Sequence, residues 1–373
     1  MNAASWSSRT LVSLGANLGD AERTIDSAAR SMIQCFGRES ISFSRLYKTA
    51  AVGGPSGQED FFNAVALIQS NYTAFEVWQF LNKTEQTLGR HRFKRWEARR
   101  IDLDVLLHES RTDSQSPLLP EVVWTPTFKV PHPRMTMRTF VLTPACDVSP
   151  DWIEPVTRQS LNELSARLDR ITFQGRLPTV LLSCDSSSVI EALIQSLRRS
   201  IPSLSLTRDP DPIIFRDGQP WIVIGLVPKL APNIKARANS PFADSATASY
   251  QAICECLTKR IRQSRQIHSS IHPRIQFDHW MHVCQSPDPS ISHWEDFCRT
   301  WADALGMTER LESSLFDHQK SEFDLSKFDL SGSDLLKVPP YLLAADDIDW
   351  AAHELIAATE AMSCPIQPYG VIS

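Results

Sequence analysis

Residues 99–107, RRIDLDVLL, carry the pattern that most limits what this chain can fold into. Apolar side chains alternate here with carboxylates, and a period of two is typical of a β-strand with one buried face. Ile101 and Leu103 then point into a core, whereas Asp102 and Asp104 lie side by side on the opposite face. Two like charges held this close repel each other unless a cation lies between them. Hard oxygen ligands select Mg²⁺ or Mn²⁺, so the pair is a candidate metal site, although a solvated acidic strand face shows the same pattern.

A block of positive charge directly precedes this strand. The stretch GRHRFKRWEARR, residues 89–100, contains six Arg or Lys side chains and one acid, Glu97. Beside a metal site, such a cluster on a glycine-containing loop fits a polyphosphate, because guanidinium groups contact phosphate oxygens in pairs and metal ions bridge them. Taken alone, the cluster is also typical of a solvated face or a nucleic-acid patch. The formal net charge of −5 argues against a surface built for nucleic acid.

The neighbouring segments predict the fold of the first part of the chain. LVSLGAN predicts a strand that ends at a glycine, and residues 20–36 have helical spacing. ISFSRLYKTAAV and FFNAVALIQS predict two strands joined by the turn-rich GGPSGQED, and residues 75–88 predict a second helix before RRIDLDVLL. The order β-α-β-β-α-β predicts an α+β ferredoxin-like sandwich, which is an antiparallel sheet with helices on one face.

The character of the sequence changes after Leu168. Strand-like and helical segments alternate in LPTVLLSCDSSSVIEALIQSLRR, PWIVIGLVP and PYLLAADDIDWAAHELIAATEAM, which predicts a separate α/β domain. We place the first domain at residues 9–168 and the second at residues 177–367. SCDSSS has the position of a phosphate-binding loop, but the chain contains no G-x-x-x-x-G-K-[ST] motif. The second half faintly resembles a degenerate, non-catalytic P-loop nucleoside kinase, and the sequence leaves its function open.

Six blocks between Leu11 and Trp152 resemble one enzyme family. In chain order they are LVSLGANLGD, LYKTAAVGG, FFNAVA, TLGRHR, RRIDLDVLL and VPHPRMTMRTFVLTPACDVSPDW. The order of these blocks and the distances between them are similar to those in the 6-hydroxymethyl-7,8-dihydropterin pyrophosphokinases of folate biosynthesis. The resemblance implies a transferase, 2-amino-4-hydroxy-6-hydroxymethyldihydropteridine diphosphokinase, with ATP as co-substrate. Such an enzyme transfers pyrophosphate to the hydroxymethyl oxygen of the pterin and releases AMP.

The resemblance also implies which side chains act. Asp102 and Asp104 are expected to bind two Mg²⁺ ions that bridge the phosphates. The residues with an expected catalytic role are Arg90, Arg92, Arg99, Asp102 and Asp104. Those expected to bind ATP are Arg90, Trp96, Arg99, His132 and Arg138. Those expected to bind the pterin are Val52, Gly53, Phe61, Asn63 and Phe140, with the two phenylalanines stacking on the ring and the amide reading its edge.

The chain departs from the family pattern at two loops. Residues 50–53 read Ala-Ala-Val-Gly where many relatives have P-P-L-G, and Glu97-Ala98 stands where a glycine-proline pair commonly precedes the arginine. These changes bear on how the loops close. Every matched acid and arginine is present, which favours an enzyme over the alternative, a non-catalytic pterin- or nucleotide-binding regulatory module.

The remaining sequence features concern the location and partners of the chain. We expect neither an export signal nor a membrane span, because no basic segment precedes an apolar run at the N-terminus and no long apolar run occurs. The eight cysteines are scattered and form no C-x-x-C pair, which is typical of reduced thiols in a cytoplasmic protein. The expected partners are the small-molecule substrates alone, without nucleic acid or membrane, and the oligomeric state stays open.

Overall fold

The computed structural model describes most of the chain as two compact units. The described residues are 6–53, 57–89, 99–124, 127–155, 157, 159–184, 186–207, 213–226, 278–284 and 339–372. The first unit comprises Met1–Pro178 with His353–Ser373, and the second comprises Thr179–Ala352. Among the described residues, no helix has the length and apolar character that crossing a membrane requires.

The first unit is an antiparallel sheet with helices. Its strands before the second unit are β1 (Ser8–Ala16), β2 (Ile41–Phe43), β3 (Arg45–Thr49), β4 (Phe61–Ser70), β5 (Asp102–Ser110), β6 (Leu119–Pro120), β7 (Val123–Trp124) and β8 (Lys129–Val130). Its helices are α1 (Ala21–Phe36), α2 (Ala74–Thr87), α3 (Thr139–Val148) and α4 (Leu161–Phe173). The predicted strand-helix succession around residues 11–107 is therefore confirmed, except that the segment predicted as one strand, ISFSRLYKTAAV, forms the two strands β2 and β3.

The second unit contains a mixed sheet. Its strands are β9 (Val180–Cys184), β10 (Ser205–Thr207), β11 (Ile213–Arg216), β12 (Gln219–Leu226), β13 (His279–Cys284) and β14 (Pro340–Ala344), and α5 (Ser187–Ser200) follows β9. The sheet order is β10-β11-β12-β9-β13-β14. The pairs β12–β9, β9–β13 and β13–β14 are parallel. The pairs β10–β11 and β11–β12 are antiparallel.

The last two elements, α6 (Ile348–Met362) and β15 (Ile366–Val371), carry the chain from the second unit back to the first. β15 pairs antiparallel with β3, so the main sheet of the first unit has the order β15-β3-β4-β1-β5-β6, and β2 pairs separately with β4. The last strand and the C-terminal part of α6 therefore group with the first unit, whereas the sequence places residues up to 367 in the second domain. Pairing with β3 is the physical reason, because an edge strand gains a ladder of backbone hydrogen bonds there.

The core of the first unit explains why its helices form where they do. The apolar faces of α1 and α2 pack on the side of the sheet to which Val12, Leu14 and Leu103 point. Asp20 caps α1, because its carboxylate accepts a hydrogen bond from the Arg23 amide at 3.0 Å. Thr73 and Glu76 form a reciprocal capping box at the start of α2. Local caps and apolar periodicity thus define both helices.

The opposite face of the sheet is also covered, which corrects the expectation of helices on one face. α3 packs along β3 and β4. The Tyr47 hydroxyl, which lies on this opposite face, donates a hydrogen bond to Asp147 of α3 at 2.8 Å. Both faces carry apolar residues, since Leu11 and Val65 alternate with the residues under α1 and α2 and are themselves fully buried. A sheet that is apolar on both faces needs cover on both.

Candidate active site

Two rows of side chains cross the sheet where β1 meets its neighbours. Gly15 pairs with Asn63 on one side and with Asp102 on the other, and Ser13 lies between Val65 and Asp104 in the same way. Cross-strand partners point to the same face. The strands therefore bring Asn63, Asp102 and Asp104 to one surface, and the two acids share a face as the alternation in the sequence predicts.

Gly15 keeps this surface open between the amide and the acid. It carries no side chain, and a Cβ there would be 3.5 Å from the Asn63 Oδ1. On the far side, the Asn63 Nδ2 donates to the Thr49 hydroxyl at 2.9 Å, which fixes the orientation of the amide. Phe61 is two residues before Asn63 on the same strand, so it lies on the same face, half-buried.

Arg99 lies against the first carboxylate. Its guanidinium donates to the Asp102 carboxylate, with 35% of the arginine side chain and 18% of the aspartate side chain exposed. Asn17 holds the backbone of this arginine from both sides: the Arg99 amide donates to the Asn17 Oδ1 at 2.7 Å, and the Asn17 amide donates to the Arg99 carbonyl at 3.0 Å. The structure thus brings one expected ATP ligand and one expected metal ligand together.

Asn17 is a residue that the sequence interpretation missed. Its side-chain Nδ2 also donates to the Gln58 Oε1 at 3.3 Å and to the Glu59 carbonyl at 3.2 Å. The Gln58 amide in turn donates to the Gly53 carbonyl at 3.4 Å. One buried amide thereby connects the segment before β5, the segment before β4 and the expected pterin loop. The sequence signal that could have indicated this role is the position of Asn17 directly after a strand that ends in Gly-Ala.

His132 lies next to the second carboxylate. Its Nε2 is 3.6 Å from the Asp104 Oδ2, and its backbone amide donates to the Leu106 carbonyl at 2.9 Å. Burial, and then the positive charges of Arg138 and Arg134, hold the pKa of His132 well below its usual value. The imidazole is therefore neutral near pH 7, and the contact with Asp104 is a polar contact between one charged and one neutral group.

Arg138 and Phe140 lie together at the entry to α3. The Arg138 guanidinium carbon is 5.7 Å from the centre of the Phe140 ring, within cation–π range. Burial and the nearby Arg134 lower the pKa of Arg138, while Asp104 and Asp102 act in the opposite direction. Arg138 and Phe140 line a small cavity together with Val52, so three predicted residues share one site.

The other predicted residues are less closely assembled. Phe61 and Asn63 do not line the cavity that Val52 and Phe140 share. Arg90, Arg92 and Trp96 lie outside the described residues. Within the described part of the chain, no three or more acidic, histidine or cysteine side chains are grouped to hold a metal ion, so Asp102 and Asp104, the expected metal ligands, are a pair of carboxylates.

Comparisons with known proteins match this region of the chain. Residues 11–150 match the family of 7,8-dihydro-6-hydroxymethylpterin-pyrophosphokinase (HPPK). A 2-amino-4-hydroxy-6-hydroxymethyldihydropteridine pyrophosphokinase of Porphyromonas gingivalis is 35% identical over 147 residues, which are 39% of this chain and 92% of that protein. The enzyme of the same name from Synechocystis is 30% identical over 159 residues, 43% of this chain and 75% of the relative.

The chain belongs to the HPPK family. The family match ends at residue 150, so α4, the second unit and the C-terminal segment lie beyond it. Among solved structures, a Plasmodium falciparum HPPK-DHPS with pterin and p-hydroxybenzoate covers 80% of this chain and 67% of its own, at 10% identity and a TM-score of 0.32. A TM-score this low carries no information about the fold of the present chain.

Proposed function

We propose that the first unit carries out the HPPK reaction and that Asp102 and Asp104 are its centre. The reaction is the ATP-dependent transfer of pyrophosphate to 6-hydroxymethyl-7,8-dihydropterin, which gives the pterin diphosphate and AMP in folate biosynthesis. The observation that carries the assignment of residues is the row of paired strands that sets both carboxylates on one face, with Arg99 against one and His132 against the other.

The donor set fits Mg²⁺. This ion is commonly bound by one or two carboxylates together with substrate phosphates, so a pair of aspartates is sufficient protein ligation. We assign Asp102 and Asp104 as the ligands of two ions. When bound, the ions supply Lewis acidity and charge neutralisation at the phosphate oxygens. The two carboxylates would hold these charges at a fixed place on a strand within the sheet, which is a more rigid support than a loop.

The basic side chains around the pair would bind the polyphosphate. Arg99 and Arg138 present guanidinium groups for paired contacts with phosphate oxygens. The Nδ1 of the neutral His132 accepts the Arg134 amide, so its Nε2 is the hydrogen-bond donor. Asn17 keeps the Arg99 backbone in place. By resemblance, Arg90, Arg92 and Trp96 belong to the same ATP-binding set.

The pterin would occupy the surface beside the acids. Phe61 and Phe140 are assigned to stack on the ring, and Asn63 is assigned to read its edge, with Val52 and the Gly53 backbone alongside. The hydroxymethyl oxygen then attacks the β-phosphorus while the bond between the α- and β-phosphates breaks. No covalent enzyme intermediate is needed, because positioning and charge stabilisation lower the barrier.

The proposal also covers the fold of the first unit, the nature of the second unit and the cellular location. The strand order β3-β4-β1-β5 within the sheet, with α1 and α2 on one face, supports a ferredoxin-like sandwich at residues 9–168. We assign the second unit as a separate α/β domain, possessing the strand-loop-helix layout of a P-loop protein at β9 and α5 without its lysine motif. A cytoplasmic location agrees with Cys35, Cys146, Cys184 and Cys364 being free thiols.

Product formation tests the function directly. The purified full-length chain is incubated with ATP, Mg²⁺ and 6-hydroxymethyl-7,8-dihydropterin, and AMP and pterin diphosphate are measured together. We expect equal amounts of both products and no AMP when either the pterin or the metal is omitted. Tight binding of both substrates without turnover would instead identify a regulatory binding module.

A further inference from the structure

The C-terminal segment, residues 353–372, is attached to the first unit at several points. β15 pairs with β3 from Ile366, opposite Thr49, onwards. The Thr139 hydroxyl, at the start of α3, contacts two carbonyl oxygens of the segment, Ala361 at 3.2 Å and Cys364 at 2.8 Å. A hydroxyl has one proton and is shared between these acceptors. The strand pairing places the segment beside β3, and the Thr139 contact places it beside the start of α3.

One carboxylate of this segment reaches an arginine next to the site. Glu354 is 2% exposed, and both of its oxygens accept hydrogen bonds from Arg134: the Nε–Oε1 distance is 2.5 Å and the Nη2–Oε2 distance is 3.0 Å. This is the bidentate geometry in which a guanidinium is most firmly oriented. The arginine side chain is 31% exposed, so the buried partner determines where it lies.

Arg134 is in turn connected to the residues at the carboxylate pair. Its backbone amide donates to the His132 Nδ1 at 3.2 Å, and the other ring nitrogen of His132 faces Asp104. Arg134 also lies close enough to Arg138 for the positive charge of one to lower the pKa of the other, an effect that Glu354 opposes. Glu354 thus offsets repulsion between these two half-buried arginines before a phosphate is present.

The same segment forms one wall of the cavity at Phe140. Ala357, Ala358 and Ala361 of α6 line it with the predicted residues Val52, Arg138 and Phe140. These alanines are buried, and their small side chains bring the helix backbone close to the cavity. Every lining residue belongs to the first unit.

We propose that the C-terminal segment is part of the catalytic unit and that Glu354 is a positioning residue, which holds Arg134 at the phosphate side of the site. This inference deepens the proposed function and rests on it. Glu354 acts through Arg134 and touches no reacting atom. Residues 353–372 are outside the part of the chain that the family match covers, so this positioning device is additional to the matched HPPK residues.

The test uses the full-length chain and the variant E354Q. We expect kcat for AMP formation to fall by at least about tenfold, because an arginine displaced by an ångström no longer meets the transition state. The Kd of α,β-methylene-ATP should change by less than about threefold, because losing a negative charge strengthens anion binding while losing order weakens it. A purely structural role predicts no such split between kcat and Kd.

Two further variants make the test specific. E360Q removes a carboxylate from the same helix outside the contact with Arg134, and it should leave kcat unchanged. In a double-mutant cycle, E354Q combined with R134Q should have the kcat of R134Q alone, because Glu354 acts through that side chain. The double variant also removes both charges of the ion pair, so it can be measured even if E354Q alone folds poorly.

The outcomes separate the two proposals. Wild-type kcat in folded E354Q, or additive losses in the cycle, overturns the positioning role and leaves the HPPK assignment intact. A wild-type chain that forms no AMP contradicts the proposed function, and the positioning role is rejected with it.

Discussion

The two carboxylates of the site have different neighbours, although they are only two residues apart. Asp102 is 18% exposed and receives the Arg99 guanidinium, whereas Asp104 is 36% exposed and faces a neutral imidazole. Removing the charge at position 102 therefore disturbs a proposed metal ligand and an arginine together. Removing it at position 104 affects the other proposed ligand with less disturbance of its surroundings.

We expect D102N and D104N each to lower kcat by about two to four orders of magnitude, because the amide keeps the size of the side chain but not the charge that holds Mg²⁺. D102N should show the larger loss. D26N, which changes an acid on α1, serves as the control and should retain wild-type turnover. The measurement is AMP formation against Mg²⁺ concentration with circular dichroism as the check on folding; folded D104N with near-normal turnover would remove Asp104 from the metal site.

A second prediction at the residue scale concerns His108 and the stability of the folded chain. Its side chain is 0% exposed, and its Nδ1 is 2.8 Å from the Thr10 hydroxyl. Burial lowers the pKa of His108 from 6.5 to about 4, even though the Glu121 carboxylate is 3.5 Å from the Nε2. Burial outweighs this contact, because the imidazole is enclosed while the carboxylate is partly solvated.

The pH dependence follows from that shift. The unfolded chain takes up a proton at His108 as the pH falls below about 6.5, but the folded chain does so only near pH 4. Stability contributed by the neutral imidazole is therefore present above pH 6.5 and is lost between pH 6.5 and 4, by about 3 kcal/mol. H108N should flatten the urea-unfolding free energy over this range relative to wild type; parallel curves for the two proteins would exclude His108 as the source.

Among the elements, β15 extends the main sheet of the first unit beyond the matched family residues. It contains Pro368 and Gly370, and the ladder is irregular between them. Both residues are tolerated because β15 is at the edge of the sheet. Tyr369 packs edge-on against Phe62 with ring centres 4.8 Å apart, which adds a side-chain contact to the strand pairing.

We expect a chain that ends before Ile366 to lose stability and to bind the pterin more weakly. The loss of β15 leaves β3 as an exposed edge, and the expected pterin loop follows directly from Thr49, which pairs with Ile366. The KM for the pterin should rise by about fivefold or more, a shift of about 1 kcal/mol, while the KM for ATP changes less.

The matched control for this deletion is V371T. Val371 is 77% exposed, and a threonine there retains the β-branched shape and the strand pairing. Its melting temperature and both KM values should match the wild type. A deletion variant with wild-type melting temperature and pterin KM would show that β15 is dispensable.

At the scale of the whole molecule, the first unit is made of two separated stretches of sequence. A chain that stops at Pro178 would lack Glu354, α6 and β15, and we expect it to have little activity. A chain in which a long glycine-serine linker replaces residues 179–346 restores all three and should recover most of the AMP-forming activity. The linker ends before Asp347, whose carboxylate accepts a hydrogen bond from the Trp350 amide at 3.0 Å and caps α6.

Steady-state kinetics on these two proteins, alongside the full-length chain, distinguish the contributions. Equal activity in the shortened chain and the linked chain would mean that the C-terminal segment has no part in catalysis. A linked chain that folds but is inactive would mean that the second unit itself is required. Circular dichroism and melting temperatures show which proteins are folded.

The amino-acid sequence by itself determined the elements with local causes. The alternation around Asp102 and Asp104 set the strand and the face of the acids, because side chains two residues apart on a strand point the same way. The helical spacing of residues 20–36 and 75–88 predicted α1 and α2 to within a few residues, since caps and apolar periodicity act within one helix. The six ordered blocks predicted the family.

Only the tertiary structure decided which distant residues complete the unit. Arg134 and Glu354 are 220 positions apart, and neither the cavity beside Phe140 nor the pairing of β15 with β3 is written in a local pattern. IQPYGV contains a proline and a glycine, which disfavour a strand until an open edge is available. The roles of Asn17 and Glu354 likewise depend on which backbone and side-chain groups folding brings within hydrogen-bond distance of them.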